Sequence, residues 1–236
     1  MSKLAITLLY VICALVPYLI AGVNPAILLA RLIYHEDIRE KGSGNPGFTN
    51  FKRVYGNKYA WFVFILDISK GVLLCLAAGY AFRSITGQFH LGAAYAGFFA
   101  MLGHSYPVWY KFKGGKGFLV ACSAIWFMDW RVALIAMCIF LILLFTVKYM
   151  SLCTMIAAWL CPVMLAYPFG FYKPITGNAF NAEHIGMIFI CTASVTLMTW
   201  RHKENIKRLA AGTESKFSLG GKNKKTEESE KTESSE

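Results

Sequence analysis

The stretch LAITLLYVICALVPYLIAGV, residues 4–23, contains no charged side chain. At a rise of roughly 1.5 Å per residue, a helix of about 20 residues crosses a hydrocarbon layer of about 30 Å. Lys3 is the single basic residue before this stretch, and no small-residue cleavage site follows it before NPAILLAR. We therefore expect a membrane span here rather than a signal peptide that is removed.

Further apolar blocks follow along the chain, which is 56% hydrophobic and 16% charged and has a mean hydropathy of +0.47. They predict an all-α, polytopic integral membrane protein of about seven transmembrane helices with polar cytoplasmic loops. The fourth block is short and the fifth lies close behind it, so five full spans with a re-entrant pair is the alternative. The later spans are expected at 59–82, 91–110, 118–128 with its flanks, 132–147, 151–170 and 185–200.

Basic residues are distributed unevenly between the two sides that this topology defines. Segments 31–58 and 111–117, Lys148 and the region after residue 200 hold most of the 24 Lys and Arg residues. The positive-inside rule makes that side cytoplasmic and places the N-terminus outside. The net charge of +11 then reflects topology and anionic lipids. No aromatic and basic platform for nucleic acid is present in the sequence, so nucleic acid is not expected as a partner.

Cysteines and the C-terminal region complete the domain prediction. The seven cysteines all lie in apolar runs without a C-x-x-C pair, so they are predicted to pack as small apolar residues. From about Phe217 the chain reads FSLGGKNKKTEESEKTESSE, which has too few apolar residues to order itself. We expect a membrane domain over 1–216 and a disordered polar tail over 217–236, with no metal and no cofactor.

The polar stretch GSGNPGFTN, residues 42–50, lies on the predicted cytoplasmic side. Its glycines allow backbone N–H groups to approach an anion closely, as in phosphate-binding nests. A flexible loop that leads into a helix is the alternative interpretation. Side-chain donors come from Ser43, Asn45, Thr49 and Asn50, and Arg53 adds a guanidinium fork for phosphate oxygens.

The stretch GHSYPVWYKFKGGKG, residues 103–117, combines a histidine near the end of an apolar helix with lysines around a glycine pair. It is not a Walker A motif, because Gly117 follows the lysine where Ser or Thr is required. A glycine turn with flexible ammonium groups suits a phosphate that moves during a reaction. A solvated basic loop would explain the lysines but not the paired glycines. The candidate residues are His104, Lys113, Gly114, Gly115 and Lys116.

The stretch RHKENIKRLAAGTESK, residues 201–216, follows the last predicted span. A helix over about 199–211 would place His202, Asn205 and Arg208 on one face. These residues would then be candidates for binding a substrate. An amphipathic surface helix with snorkelling basic side chains is the alternative.

Two charged residues lie inside the second predicted span, in the sequence DISKG. Asp67 and Lys70 are three residues apart and share one helical face. Charges within a membrane are costly, so the pair indicates a functional role, and an internal neutralising pair is the alternative.

The stretches DIREKGSGNPGFTN, DISKG, GHSYPVWYKFKGGKG and RHKENIKRLAAGTESK occur in this order along the chain. Together they resemble the bacterial acyl-phosphate:glycerol-3-phosphate 1-acyltransferase family of the PlsY type. With GVNPAILLAR, the resemblance runs from about residue 10 to residue 216. Phe48 departs from the family pattern, which usually has a small residue before Thr49, and it could narrow the loop.

The resemblance implies a multi-pass enzyme of the bacterial plasma membrane with a site that faces the cytoplasm. It would transfer a fatty acyl group from acyl phosphate, and not from acyl-CoA, to the 1-hydroxyl of sn-glycerol 3-phosphate. The products would be lysophosphatidic acid and phosphate. Membrane lipids and an enzyme that supplies acyl phosphate would be its partners. A transporter or channel for phosphorylated anions is the alternative, but it predicts charged lining on both membrane faces.

The chemistry predicted from these residues is direct attack by the glycerol 3-phosphate hydroxyl on the acyl carbon. No H-x-x-x-x-D acyltransferase signature and no G-x-S-x-G elbow is present in the sequence. Acyl phosphate is already activated, so positioning and charge neutralisation can suffice. Ser43, His104 and Lys116 are the catalytic candidates, with His104 as base or positioner unless the departing phosphate takes the proton. Asn45, Thr49, Asn50, Lys113, Gly114 and Gly115 would hold the transferring phosphate with Ser43 and Lys116, and Arg53, His202, Asn205 and Arg208 would hold glycerol 3-phosphate.

Overall fold

The computed structural model describes residues 2–167 and 182–217. Regular structure in these two ranges is entirely helical, which confirms the all-α prediction. Short 3₁₀ turns, Ile38–Glu40 and Val108–Tyr110, lie in two of the polar stretches. The α-helices are α1 (Lys3–Gly22), α2 (Pro25–Tyr34), α3 (Phe48–Tyr55), α4 (Asn57–Thr86), α5 (Phe89–Ser105), α6 (Phe118–Met128), α7 (Trp130–Thr146), α8 (Met150–Ala166), α9 (Ala182–Arg201) and α10 (Lys203–Ala210).

Within the described residues, three helical segments are long and apolar enough to cross a membrane: Lys3–Tyr34, which includes both α1 and α2, Asn57–Thr86 and Ala182–Arg201. Helices α6, α7 and α8 are apolar but shorter. The expected extension of the fourth span beyond 118–128 is wrong, because Asp129 ends α6 and caps α7 by accepting from the backbone N–H of Arg131 at 2.9 Å. The multi-pass architecture therefore stands, and the count of seven spans stays a prediction.

Helix α5 lies at the centre of the bundle and contacts α1, α4, α6 and α9. Its buried face consists largely of glycine and alanine. Gly92 lies against Phe82 and Gly97 lies against Ala124, so a larger side chain at either glycine would push the helices apart. On the outside, large apolar side chains such as Phe189, which is 74% exposed, form a surface suited to lipid.

The break between α1 and α2 brings the first polar stretch against the bundle. Asn24 caps α2 by accepting from the backbone N–H groups of Ala26 and Ile27 at 3.0 and 3.1 Å, and Pro25 occupies the first turn. The other end of the Asn24 amide donates to the carbonyl of Pro46 at 3.0 Å. One buried side chain thus starts a helix and holds the loop that precedes α3.

The helix expected over 199–211 is wrong as a single element. It is divided at His202, whose ring folds back so that Nδ1 lies 2.8 Å from the carbonyl oxygen of Met198. Gly212 then follows α10 with a φ of +69°, a conformation that favours glycine after a helix. Three predicted regions lie partly or wholly outside the described residues: the end of the span 151–170, the segment between that span and the span 185–200, and the tail. The residues concerned are 168–181 and 218–236.

Candidate active site

The side chain of Asn50 holds the backbone of the first polar stretch in place by hydrogen bonds. Its Oδ1 accepts from the backbone N–H of Ser43 at 2.8 Å, and its Nδ2 donates to the carbonyl of Lys41 at 3.0 Å. Gly42 lies so close to Asn50 that a side chain there would displace the amide. Because both ends of the amide bind backbone groups, Asn50 shapes the loop. Ser43 is exposed, and its hydroxyl has no hydrogen-bond partner among the described residues.

Arg39 connects the first polar stretch to the second. Its guanidinium binds Asp37 at 2.6 Å and donates to the carbonyls of Tyr110 at 3.1 Å and Lys113 at 3.4 Å. Hydrogen bonds from Arg39 hold the pKa of Asp37 well below its usual range. Arg39 and Asp37 were not among the predicted site residues, although both lie in the DIR segment shortly before the glycines.

The glycine pair of the second stretch packs closely against the end of α5. The N–H groups of Gly114 and Gly115 donate to the carbonyls of Ser105 and His104 at 3.2 and 3.0 Å. A side chain on Gly114 would collide with the carbonyl of His104. The carbonyls of the pair accept from Arg201 at 2.9 and 3.2 Å. These amides are already bonded to protein, so the pair supports neighbouring groups rather than presenting a free phosphate nest.

Asp67, Lys70 and His104 form a buried cluster between α4 and α5. The ammonium of Lys70 lies 2.8 Å from Asp67 Oδ1 and 3.0 Å from His104 Nδ1. It also donates to the carbonyls of Ala21 at 3.0 Å and Val23 at 3.1 Å. The two residues of DISKG therefore form an ion pair, and His104 is a third member that their spacing did not indicate.

Two partners face Nδ1 of the His104 ring. The Lys70 ammonium, 3.0 Å away, can only donate, whereas Asp67 Oδ1, 3.3 Å away, can only accept, so the two contacts favour opposite tautomers of a neutral ring. Nε2 lies beside Gly115, where a β-carbon would collide with it. His104 thus presents Nε2 towards the second polar stretch.

Glu214 ties the third polar stretch to the start of α8, and it was not among the predicted site residues. Its carboxylate accepts from Asn205 at 2.6 Å, from Ser151 at 2.8 Å and from Arg208 at 2.7 Å. Asn205 in turn accepts from the ammonium of Lys116. Burial would raise the pKa of Glu214, but hydrogen bonds from Asn205, Ser151 and Arg208 outweigh it and hold the pKa below its usual value. In the sequence, the sign that Glu214 has a structural role is its position as an acidic residue just after the Gly212 cap in a mostly basic segment.

Burial also lowers the pKa values of two basic groups near Glu214, Lys116 and His202. It lowers the pKa of Lys116 to about 8, with the charges of Arg208 and Arg53 adding to the effect and that of Glu214 opposing it. Burial and the charge of Lys116 lower the pKa of His202 to about 4. The neutral His202 ring donates from Nδ1 to the carbonyl of Met198, which leaves Nε2 as an acceptor.

The other candidates occupy the edges of the same region. Arg53, on α3, is close enough to Glu214 for the carboxylate charge to act on it. Asn45 and Thr49 are half-buried, and the side chain of Lys113 is exposed. The ring of Phe48 packs against Trp61 and Phe64 at centroid distances of 5.2 and 5.4 Å, so its bulk is directed to α4.

Comparisons with known proteins give one consistent result. The family model described as glycerol-3-phosphate acyltransferase matches residues 11–212. The glycerol-3-phosphate acyltransferase of Finegoldia magna is 34% identical to this chain over 94% of this chain and 100% of the relative. That of Rhodopseudomonas palustris is 34% identical over 89% of this chain and 96% of the relative.

Solved structures extend the similarity to the fold. The crystal structure of PlsY (YgiH), an integral membrane glycerol 3-phosphate acyltransferase, in its glycerol 3-phosphate form superposes with a TM-score of 0.72 at 30% identity. It covers 89% of this chain and 96% of that one. The lysophosphatidic acid form gives a TM-score of 0.70 at 29% identity.

Proposed function

The chain belongs to the glycerol-3-phosphate acyltransferase family, and from this premise we propose that it uses acyl phosphate as its acyl donor at a site on the cytoplasmic side of the plasma membrane. It is an integral membrane acyltransferase of phospholipid biosynthesis. The proposed reaction acylates the 1-hydroxyl of sn-glycerol 3-phosphate and yields lysophosphatidic acid and phosphate. An enzyme that makes acyl phosphate must then supply the donor.

The observation that carries the proposal is the joining of three polar stretches on one face of the bundle. Arg39 links the first stretch to the second, and Lys116 and Arg201 link the second to the third. Both proposed substrates carry phosphate, so the reaction needs several cations near one point. Lys116, Arg208 and Arg53 supply these cations. They lie close enough together for the charges of Arg208 and Arg53 to lower the pKa of Lys116.

The same geometry favours direct transfer over an acyl-enzyme. The Ser43 hydroxyl is exposed, and no histidine of the described residues hydrogen-bonds to it. The oxygen of the glycerol 3-phosphate hydroxyl would attack the acyl carbon, and the bond from that carbon to the phosphate oxygen would break. The hydroxyl proton would pass to the departing phosphate, and the Lys116 ammonium would neutralise the charge that develops there.

The two histidines would act on different parts of the substrates. His104 turns Nε2 towards the second polar stretch and would orient the transferring phosphate or the loop. His202 presents an unprotonated Nε2, which can accept from a glycerol hydroxyl. With Asn205, Arg208 and Arg53, His202 would orient glycerol 3-phosphate. Ser43, Asn45, Thr49 and Lys113 surround the proposed place of the transferring phosphate, while Asn50, Gly114 and Gly115 shape it.

Product analysis of the purified protein tests the donor. Glycerol 3-phosphate is supplied with palmitoyl phosphate or with palmitoyl-CoA, and lysophosphatidic acid is measured. We expect product from palmitoyl phosphate alone, and comparable rates with palmitoyl-CoA would refute the proposal. The same assay applied to Lys116→Ala tests the proposed cation. Lys207→Ala is its matched control, because Lys207 is exposed on α10 and its side chain binds only Glu204, at 3.3 Å, among the described residues.

A further inference from the structure

We propose that Arg39 is a positioning residue for the acyl donor: its guanidinium holds the turn 110–113, and through that turn it sets the place of Lys116 relative to the first polar stretch. Arg39 itself would touch neither substrate. The inference rests on the proposed function, because Lys116 is assigned there to the departing phosphate. Asp37 takes part by holding the guanidinium of Arg39.

The turn 110–113 has an unfavourable backbone conformation. Lys111 and Phe112 have φ values of +55° and +58°, in the left-handed region that residues with a β-carbon rarely adopt. Both side chains are exposed, so their packing contributes little to holding the turn. Such a conformation persists only where surrounding contacts over-determine it. Contacts to the backbone of the turn must therefore supply the stabilisation.

Arg39 supplies backbone contacts from outside the turn. Its Nη1 donates to the carbonyl of Tyr110 at 3.1 Å and to that of Lys113 at 3.4 Å, which are the first and last residues of the turn. The guanidinium also lies 5.9 Å from the centroid of the Tyr110 ring. One nitrogen therefore keeps the two ends of the turn close together.

Asp37 fixes the direction of the Arg39 side chain. Its two carboxylate oxygens accept from Nε at 2.9 Å and from Nη2 at 2.6 Å, which makes a bidentate pair. The same carboxylate accepts from the backbone N–H of Arg39 at 3.0 Å and caps the 3₁₀ turn Ile38–Glu40. The side chain of Ile38 is fully buried and anchors that turn in the bundle. The guanidinium is thus held on one edge by Asp37, with Nη1 directed to the turn 110–113.

The backbone of Arg39 lies against the first polar stretch at the same time. A β-carbon on Gly44 would lie 3.1 Å from the carbonyl oxygen of Arg39, and Gly44 has a φ of +69°. On the other side, Lys113 leads directly into Gly114, and Lys116 follows two residues later. Release of the turn would therefore loosen the segment that leads into Lys116, while the first stretch keeps its own contacts.

Arg31 is a matched control because it shares two of the contacts of Arg39. Its guanidinium binds the same carboxylate of Asp37, at 3.1 Å, and lies 5.8 Å from the centroid of the Tyr110 ring. Within the part of the chain that the structure describes, its side chain donates to neither carbonyl of the turn. Variants of Arg39 and Arg31 must therefore differ if the carbonyl contacts position the donor.

Steady-state kinetics of Arg39→Lys test the position of the donor. Lysine keeps the positive charge but has no planar fork, so it cannot bind Asp37 through two nitrogens and the turn through a third. We expect the KM for palmitoyl phosphate to rise at least tenfold, while the KM for glycerol 3-phosphate changes less than threefold. Arg31→Ala should keep both KM values within threefold of wild type. Equal rises in both KM values, or wild-type values for Arg39→Lys, would overturn the inference.

A glycine in the turn distinguishes positioning from direct binding of the donor. Glycine adopts a positive φ without the cost of a β-carbon, so Lys111→Gly should make the turn less dependent on Arg39. Added to Arg39→Lys, it should lower the KM for palmitoyl phosphate at least threefold relative to Arg39→Lys alone. Absence of any recovery would mean that the guanidinium acts on the donor itself, which contradicts the inference.

Limited proteolysis reports on the turn without turnover. Lys111 and Lys113 are exposed, and trypsin cleaves such sites faster where the local backbone is released. Cleavage after these two residues, assigned by mass spectrometry, should be severalfold faster in Arg39→Lys than in wild type and unchanged in Arg31→Ala. Equal cleavage rates in Arg39→Lys and wild type would overturn the inference even for a variant too weak to assay. Wild-type protein that forms no product from palmitoyl phosphate would instead refute the proposed function, so the two failures are distinguishable.

Discussion

Replacing Lys116 by alanine should remove most of the turnover. The substitution deletes the ammonium proposed to face the departing phosphate and leaves Oδ1 of the buried Asn205 without its donor. A hydrogen bond to a charged group contributes about 1.5–3 kcal/mol, and an unpaired buried polar group costs about 1–3 kcal/mol. The first loss of about 1.5–3 kcal/mol lowers transition-state stabilisation and corresponds to a fall in kcat/KM of about 10- to 150-fold, whereas the second lowers the stability of the fold.

The pH dependence distinguishes the charge of Lys116 from its packing. Burial lowers the pKa of Lys116 to about 8, so the protein carries the ammonium below that pH and loses it as the pH rises through it. If the cation is required, wild-type kcat/KM falls about tenfold per pH unit above 8. Lys116→Arg keeps its charge over this range, because the pKa of a guanidinium stays above about 12. Its rate should be lower, but the alkaline fall should disappear.

The assay follows lysophosphatidic acid from palmitoyl phosphate and glycerol 3-phosphate between about pH 6.5 and 9.5, with spontaneous hydrolysis of the donor subtracted. Lys207→Ala should show the wild-type profile, since Lys207 lies on the exposed face of α10. Two results would refute the reasoning: activity of Lys116→Ala within threefold of wild type, or an alkaline fall in Lys116→Arg equal to that of wild type.

Three further predictions concern the loop, the chain end and the topology. Ser43→Ala should lower turnover by about 10- to 100-fold, as expected for loss of one hydrogen-bond donor; an acyl adduct on Ser43 in mass spectrometry of enzyme quenched with acyl phosphate would show covalent transfer instead. A chain ended after Phe217 should keep nearly full turnover, whereas one ended after Gly212 should lose it together with the carboxylate that binds Asn205; equal activity of the two truncations would contradict this. In a background without native cysteines, a cysteine at Glu40 should resist an impermeant thiol reagent in intact cells and one at Ser84 should react, and the reverse pattern would invert the proposed orientation.

The membrane character of the chain could be read from local sequence, because the length and apolarity of a single segment are what the bilayer selects. The segment 4–23 needed no partner to be identified, and α1 covers Lys3–Gly22. The polar stretches were equally visible as interruptions between apolar blocks. Their resemblance to one acyltransferase family agrees with the family match over residues 11–212.

The parts played by individual side chains depended on contacts between distant segments. Asn50 and the Gly114–Gly115 pair look like ligands for an anion in the sequence, yet in the fold they bind neighbouring backbone. His104 lies 34 residues after Lys70, and only the packing of α5 on α4 brings its Nδ1 to the Lys70 ammonium and the Asp67 carboxylate.

Glu214 shows the same dependence most clearly. In a basic segment near the chain end, its carboxylate reads as an ordinary surface charge. It becomes the partner of Asn205, Arg208 and Ser151 because the chain turns at Gly212 and returns to the start of α8, 63 residues earlier in the sequence. Periodicity and hydropathy report where each helix lies relative to the bilayer, whereas the pairing of polar groups follows from which helices pack together, a choice made by side-chain volumes throughout the bundle.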